Sequence, residues 1–237
     1  MTSHSPLPAA VIFDMDGVLI DSNPFHLRKW VDLLREHGIP FDEQELPKLI
    51  LGHRNDSAFR RFFGEQLTRA EIREFSAELE AKFRKAFAPH ARLLPGLQRF
   101  IDECHAHGVV MAVASSAMSE NVEFIVTRLE LRPYMKAILT GDEVSHAKPD
   151  PEIYLKTAAK LGVEPAACVA FEDSFVGVEA AKGAGMKCIA VASTFPVEDL
   201  RRETHADLVV PSFGAVSLPT LGQLFDGAPV GDPAGSS

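Results

Sequence analysis

Short apolar runs alternate along most of this chain with longer segments in which apolar residues recur at helical spacing. The runs, rich in Val, Ile and Ala, are Ala9–Phe13, Val109–Ala114, Ala137–Leu139, Cys168–Phe171, Cys188–Val191 and Leu208–Val210. Such runs are typical of strands that are buried on both faces of a parallel sheet. Helices are predicted between them at Pro95–His107, Ser119–Leu129, Pro151–Leu161 and Val176–Ala184. Strands that alternate with helices predict an α/β fold with a doubly wound parallel sheet.

Two of these helices carry boundary signals. Asp150 precedes Pro151, which predicts an N-cap followed by proline at the first helical position. Gly185 is expected to end the helix that passes through Val178 and Ala181.

The stretch from Pro24 to His90 breaks the alternation. It is rich in charged residues, has no convincing strand, and is predicted to form helices, among them Asn55–Phe63 and Arg69–Phe87. One face of its first helix carries His26, Trp30, Leu33, Leu34 and His37. We therefore expect a helical domain, residues 24–91, inserted into a core domain of residues 1–23 and 92–225. The segment 226–237 is rich in Gly, Pro and Ser and is expected to be disordered.

The composition is that of an ordinary globular protein, with 46% hydrophobic and 24% charged residues in a chain of 237. A net charge of −9 argues against a nucleic-acid-binding surface, and phosphate chemistry here would need a metal and a few placed cations. No segment reaches the ~18 apolar residues of a membrane span, and the N-terminus lacks a targeting pattern. We expect a monomeric cytoplasmic protein without nucleic-acid or membrane partners. The scattered cysteines are predicted to be buried free thiols: Cys104, Cys168 and Cys188.

Two carboxylates, Asp14 and Asp16, follow the first predicted strand. Open α/β sheets bind their ligands at the carboxyl ends of strands. Buried acidic residues need partners, and a metal ion is a natural one. Gly17 would let the loop curl over a ligand. Taken alone, however, an Asp-Gly pair is equally typical of a simple turn.

Further polar residues stand at the ends of other predicted strands, namely Glu172, Asp173, Ser115 and Lys148. Singly, Ser115 could cap a helix and Lys148 could be a solvated surface residue. Two acidic clusters at separate strand ends can share one hard cation, and Mg²⁺ suits carboxylates that are shared with a substrate phosphate. A carboxylate nucleophile, a metal, a hydroxyl and an ammonium group together predict a site for phosphoryl transfer.

Four segments in this order resemble the motifs of the haloacid dehalogenase superfamily. They are DMDGVLIDS, the Ser of VASSA, the Lys of HAKPDP, and FEDSFVGVEAAKGAGM. The resemblance covers nearly the whole chain, from Ala9 to about Leu224. It implies a Rossmann-like core with a mobile helical cap, and the insertion after the first motif resembles the cap of the first subclass.

The resemblance also implies a role for each motif residue. Asp14 would attack phosphorus and form an aspartyl-phosphate, and Asp16 would act as general acid and then as general base. Ser115 and Lys148 would bind the transferring phosphoryl group, and Lys148 would also keep Asp14 ionised.

A Mg²⁺ ion is implied by the same resemblance. It would be held by Asp14, the backbone carbonyl of Asp16 and Asp173, with Glu172 either in contact with it or just behind its ligands. The dehalogenases of the superfamily lack the acid at Asp16 and need no metal, so a hydrolytic dehalogenase is disfavoured.

The substrate is expected to be set by the helical domain. The branch most resembled is the β-phosphoglucomutase-like one, which contains sugar phosphatases and mutases. His26 and Trp30 match its cap-side His and Trp, and Arg54 matches an Arg that grips the non-transferring phosphate. Alternatively, Trp30 anchors the core of the cap and Arg54 is a surface residue. Residues 115–118 contain no lysine, whereas the mutases of this branch carry one after the serine.

The sequence therefore predicts a Mg²⁺-dependent phosphatase that acts on a small phosphate ester, in particular a sugar phosphate. The alternative is a β-phosphoglucomutase that interconverts β-glucose 1-phosphate and glucose 6-phosphate. A more remote alternative is a catalytically silent protein that binds a phosphate ligand, which the complete set of motif residues disfavours.

Overall fold

A single parallel sheet organises the fold. A computed structural model describes residues 7–225, so the predicted disorder of 226–237 lies outside the described residues. The strands are β1 Ala10–Phe13, β2 Val110–Ala114, β3 Met135–Leu139, β4 Cys168–Glu172, β5 Lys187–Val191 and β6 Leu208–Val210. Their order in the six-stranded sheet is β3-β2-β1-β4-β5-β6, and every neighbouring pair is parallel. The α/β fold class predicted from the sequence is confirmed.

The strand β1 lies at the centre of the sheet and is buried along its whole length. Val11 and Phe13 face one apolar layer, and Ala10 and Ile12 face the other. Because both faces are covered, the strand is a continuous apolar run and not an alternating one.

Helices cover both faces of the sheet. In chain order, the helices of residues 7–225 are α1 Asn23–Glu36, α2 Leu46–Ile50, α3 Asn55–Phe63, α4 Arg69–Phe87, α5 Leu97–Ala106, α6 Ser119–Arg128, α7 Glu152–Leu161, α8 Phe175–Gly183, α9 Val197–Glu203 and α10 Leu218–Gln223. The layer on the Val11 side is formed by α5, α6 and α10, and the layer on the Ala10 side by α7, α8 and α9.

The helices α1 to α4, here called the helical insertion, lie between β1 and α5 in the chain. They bury an apolar cluster of their own, in which Trp30 packs against Phe59 with 4.8 Å between ring centroids. Phe83 and Phe87 at the end of α4 join the apolar layer on the Val11 side of the sheet instead. The insertion is therefore partly self-contained and partly packed on the core. In the described part of the chain, no helix is long and apolar enough to cross a membrane.

The predicted strands agree with the observed ones to within two residues at each end. The helix α7 starts at Glu152, one residue later than predicted, because Pro151 itself takes the cap position. Asp150 still serves the helix start, since its Oδ1 accepts a hydrogen bond of 2.9 Å from the Glu152 backbone N–H. Gly185 follows α8 with a φ of 80°, as the predicted helix end requires. Helices α2, α9 and α10 were not predicted, since they are too short for a clear helical pattern.

We expect replacement of Phe171 by Ala to destabilise the fold strongly. Its ring lies 5.4 Å from Phe13, 5.4 Å from Phe100 and 5.1 Å from Phe213, centroid to centroid, so truncation leaves a cavity in the core. Such a change costs about 3–5 kcal/mol of unfolding free energy, measurable by urea denaturation. Leu155→Ala is the control, because Leu155 is 42% exposed and its truncation should cost about 0.5 kcal/mol at most. Equal losses for the two variants would contradict the packing described.

Candidate active site

Four segments that are distant in sequence meet at the carboxyl end of the sheet. Asp14 directly follows β1, Ser115 directly follows β2, and Glu172 and Asp173 lie at the end of β4. Lys148 lies in the segment between β3 and α7. Because β3, β2, β1 and β4 are neighbours in this order, their connections converge on one edge of the sheet.

Lys148 is the centre of the polar contacts at this edge. Its buried Nζ donates to Oδ1 of Asp14 at 2.7 Å and to Oε1 of Glu172 at 2.6 Å. It also lies 3.3 Å from the carbonyl oxygen of Ala114, at the end of β2. Burial alone would lower the pKa of Lys148, but Asp14 and Glu172 outweigh it and raise the pKa above its usual value. The side chain therefore stays charged.

The acidic cluster consists of Asp14, Glu172 and Asp173. All three are buried, and each offers a carboxylate oxygen within 4.8 Å of the others. Burial raises the pKa of Asp14 to about 8, helped by Glu172 and Asp16 and opposed by Lys148. Burial, with Glu172 and Asp14 nearby, also raises the pKa of Asp173 well above its usual range. A single lysine therefore does not offset the charge of three ionised carboxylates, and a bound cation would stabilise their ionised form.

The hydrogen bonds show which oxygens of the cluster are available to a cation. Glu172 is saturated, because it accepts from Lys148, from Tyr154 at 2.6 Å, from Ser174, and from the Asp173 backbone N–H. Asp14 uses only Oδ1 and Asp173 uses only Oδ2 in hydrogen bonds within residues 7–225. Two carboxylate oxygens from adjacent strands therefore remain, a donor set that suits a hard divalent cation. Glu172 is better placed to orient Lys148 than to bind the ion directly.

Asp16 has surroundings different from those of Asp14. Its Oδ1 accepts a hydrogen bond from Ser22 and lies 3.1 Å from Nε2 of His26, in the first turn of α1. Burial would raise the pKa of Asp16, but His26 and Ser22 outweigh it and lower the pKa. The His26 ring is itself fixed by stacking on Phe83, with 4.0 Å between centroids. The different surroundings of these two neighbouring carboxylates thus shift their pKa values in opposite directions.

Gly17 allows the loop after β1 to fold tightly against Asp173. Its φ is 76°, and a Cβ built there would lie 1.9 Å from Oδ2 of Asp173 and 2.5 Å from the side-chain nitrogen of Asn23. Its carbonyl oxygen accepts a hydrogen bond from Ser193, beyond β5. Only glycine fits both the backbone conformation and the space.

Three site residues were not predicted from the sequence. Asn23 and Thr194 both donate to Oδ2 of Asp173, and Tyr154 donates to Glu172. Asn23 lies seven residues after Asp16, and a polar residue at the start of a helix that follows such a loop could have been noticed. Nothing in the sequence distinguishes Thr194 or Tyr154 from ordinary loop and core residues.

Two further predicted site residues, Ser115 and Arg54, make hydrogen bonds within the protein. Ser115 is fully buried, and its Oγ accepts a hydrogen bond of 3.1 Å from the Ala117 backbone N–H. Arg54 lies on the opposite wall of the cavity, in the helical insertion. Its guanidinium group binds Asp56 and donates from Nη1 to the carbonyl oxygens of Gly141 at 3.2 Å and Val144 at 3.1 Å. Their roles towards a phosphate stay predictions.

A cavity of about 740 Å³ separates the sheet edge from the helical insertion. Asp14 and Asp16 line it on the side of the sheet, and His26, Arg54 and Glu80 line it on the side of the helical insertion. The volume is in the range of small-molecule sites. The three predicted free thiols, Cys104, Cys168 and Cys188, are all buried away from it.

Residues 11–191 match the haloacid dehalogenase-like hydrolase family, so the chain belongs to that family, as predicted. It is 34% identical over 194 residues to hexitol phosphatase B of Escherichia coli K12, covering 81% of this chain and 87% of the relative. It is 32% identical to the fructose-1-phosphate phosphatase of the same organism, covering 77% and 96%. The solved β-phosphoglucomutase of Clostridium difficile superposes with a TM-score of 0.81 over 93% of this chain and 98% of its own, at 22% identity, which shows a shared fold. Family and relatives support an enzyme of the phosphatase kind.

We expect Gly17→Ala to destabilise the protein more than Gly38→Ala. Both glycines have positive φ, so each alanine variant suffers a backbone strain of about 1–2 kcal/mol. At Gly38 no atom lies within 4 Å of the added Cβ, whereas at Gly17 the Cβ must displace Asp173 and Asn23. That displacement should add about 1–3 kcal/mol, measured as the difference between two urea unfolding curves. Equal destabilisation would show that the loop does not pack as tightly as described.

Proposed function

We propose that this protein is a Mg²⁺-dependent phosphatase that hydrolyses a small phosphate ester, a sugar phosphate, through an aspartyl-phosphate on Asp14. The observation that carries the proposal is the pair of contacts from Lys148 to Asp14 and Glu172 at the edge of the cavity. Because burial raises the pKa of Asp14 to about 8 even beside Lys148, the lysine and bound Mg²⁺ together would keep this carboxylate ionised, and an ionised carboxylate is a competent nucleophile. The relatives that act on phosphorylated hexitols and on fructose 1-phosphate support the substrate class.

Bound Mg²⁺ would be held by Asp14, Asp173 and the backbone carbonyl of Asp16. Glu172 would lie behind these ligands. The ion would supply positive charge to the carboxylates and to the transferring phosphoryl group. The excess negative charge of the cluster and its two available oxygens support this donor set.

In the first step, a carboxylate oxygen of Asp14 attacks phosphorus, and the bond from phosphorus to the sugar oxygen breaks. Asp16 gives a proton to that oxygen, so the sugar leaves as a neutral alcohol. The approach of a phosphate dianion raises the proton affinity of Asp16, whose Oδ1 lies 3.1 Å from Nε2 of His26. In the second step, water attacks phosphorus and Asp16 takes a proton from that water. The bond from phosphorus to the Asp14 oxygen breaks, so that inorganic phosphate leaves and the Asp14 carboxylate is restored.

Ser115 and Lys148 are proposed to bind the oxygens of the transferring group. Lys148 faces Asp14, and Ser115 ends the neighbouring strand β2. The hydroxyl hydrogen of Ser115 is free for a phosphate oxygen, because within the described residues its Oγ acts only as an acceptor.

We propose that residues 24–91 form a cap that moves against a core of residues 1–23 and 92–225. Direct hydrogen bonds join the two across the cavity, from Ser116 Oγ to the Gly52 carbonyl at 3.0 Å and from Arg54 to Gly141 and Val144. Closure of this kind excludes bulk water from the phosphoester. The hinges are placed near 22–25 and 90–94.

β-Phosphoglucomutase activity is the second candidate, because the mutase of Clostridium difficile shares this fold. A mutase must hold both ends of a bisphosphate intermediate while it reorients. The mutases of this branch carry a lysine after the serine, whereas residues 115–118 contain none, and Met118 of this segment lines the cavity. The loss of that cation favours the phosphatase.

Asp14→Asn should abolish turnover and leave the fold intact, since the amide keeps the shape but is no nucleophile. Phosphate release should fall by at least about 10³-fold, with an unchanged circular dichroism spectrum. Asp21→Asn is the control, because Asp21 lies in the same motif, is exposed, and undergoes the same chemical change. Substantial residual activity in Asp14→Asn would remove Asp14 as the nucleophile.

One assay distinguishes phosphatase activity from mutase activity. Purified protein with Mg²⁺ is incubated with a panel of sugar phosphates that includes β-glucose 1-phosphate, with and without a bisphosphate primer. We expect phosphate release from a few esters without isomer formation, and loss of activity with EDTA that excess Mg²⁺ restores. Glucose 6-phosphate that forms faster than free phosphate would identify a mutase.

A further inference from the structure

One face of α4 forms a wall of the cavity. Its lining residues recur at helical spacing and are Arg69, Ile72, Arg73, Ser76 and Glu80. At 1.5 Å per residue, the stretch from Arg69 to Glu80 spans roughly 16 Å. A wall of this length can contact a substrate well beyond its transferring phosphoryl group.

Glu80 marks the end of this wall that is nearer to the catalytic carboxylates. Its carboxylate is buried and accepts hydrogen bonds from Lys29, from Asn55 at 2.7 Å and from Asn121 of α6 at 2.7 Å. Lys29 follows His26 by one helical turn of α1, and His26 contacts Asp16. The wall therefore runs from the catalytic end at Glu80 to a distal end at Arg69 and Arg73, here called the distal pair.

The distal pair differs from the other charged residues of the cavity. Arg54 is paired with Asp56, Arg60 with Glu65, and Glu80 with Lys29. Among residues 7–225, the side chains of Arg69 and Arg73 have no hydrogen-bond or ion-pair partner. Two unpaired cations thus face the cavity of a protein whose net charge is −9.

Arg54 is poorly placed to bind a second anion itself. Both its Nε and its Nη2 bind Asp56, and Nη1 donates to two backbone carbonyls of the core. A phosphate would have to displace the Asp56 carboxylate, which Arg54 already binds in bidentate geometry. The distal pair has no such competitor.

We propose that the distal pair binds a second anionic group on the leaving side of the substrate, so that the preferred substrate is a sugar phosphate with a further phosphate or a carboxylate. The inference rests on the phosphatase function proposed above. Residues four apart on a helix lie about 5–6 Å apart at Cβ, so two guanidinium groups can grip one anion between them. The pair is exposed, so its contribution should be moderate, about ten-fold in KM.

The test compares matched substrates in the wild-type protein and in Arg69→Gln/Arg73→Gln. The pairs are fructose 1,6-bisphosphate with fructose 1-phosphate, and 6-phosphogluconate with glucose 6-phosphate, all followed by phosphate release. We expect the wild type to prefer the doubly anionic member of at least one pair, and that preference to fall about ten-fold, through KM, in the double variant. The pair that responds shows whether the second anion is a phosphate or a carboxylate.

The control is Arg61→Gln/Lys85→Gln, which removes the same charge from exposed positions of α3 and α4 that do not line the cavity. An unchanged preference in Arg69→Gln/Arg73→Gln, or an equal fall in the control, would overturn the inference. Absence of any preference in the wild type would do the same.

A binding measurement separates this inference from the proposed function. Calorimetry measures fructose 1,6-bisphosphate binding, in Mg²⁺, to Asp14→Asn with and without the two Gln substitutions. If the wild type hydrolyses no ester of the panel, the phosphatase proposal fails, yet about ten-fold weaker binding without the distal pair would still support the anion site. Equal affinities would reject the site whatever the turnover.

Discussion

The ion pairs of Lys148 are the interaction on which the rest of the site depends. One buried ammonium group joins Asp14 after β1 to Glu172 at the end of β4 and contacts the end of β2 through the Ala114 carbonyl. A buried charge without a partner is strongly destabilising, so the cation and the carboxylates are needed together. Removal of Lys148 would leave both carboxylates without their cation, whereas removal of Asp14 would still leave Lys148 paired with Glu172. The convergence of the strand ends is therefore an electrostatic requirement as well as a consequence of topology.

The layer beneath the site keeps these charges in place. Phe13 and Phe171 precede Asp14 and Glu172 in their strands, and their rings stack on each other within a larger aromatic cluster. Aromatic burial of this kind contributes more than isolated contacts of small side chains. It fixes the register of β1 against β4, in which Phe13 pairs with Phe171. Because the register is fixed, the two carboxylates end at the same height and Lys148 can bind both.

Features that depend on neighbouring residues in the chain could be predicted from the sequence. Continuous apolar runs predicted the buried strands, and the positions of Asp14, Ser115, Lys148 and Asp173 after those runs predicted a site at the strand ends. What it could not supply depends on side chains that meet only after folding. Thr194, which follows β5, donates to Asp173, which follows the neighbouring strand β4, and nothing in the sequence around Thr194 indicates an acidic partner. Short helices such as α9 are decided by packing against the sheet, because seven residues carry too weak a pattern.

The charge distribution explains how an acidic protein can attract an anionic substrate. The carboxylates of the site repel phosphate until cations offset them, and Lys148 offsets only part of the cluster. Arg54 is neutralised by Asp56, and Lys29 by Glu80, so neither adds a free positive charge to the cavity. The cations left without a partner in the described cavity wall are Arg69 and Arg73. A positive potential at the distal end and a metal at the catalytic end would together draw a substrate that is anionic at both of its ends into one orientation.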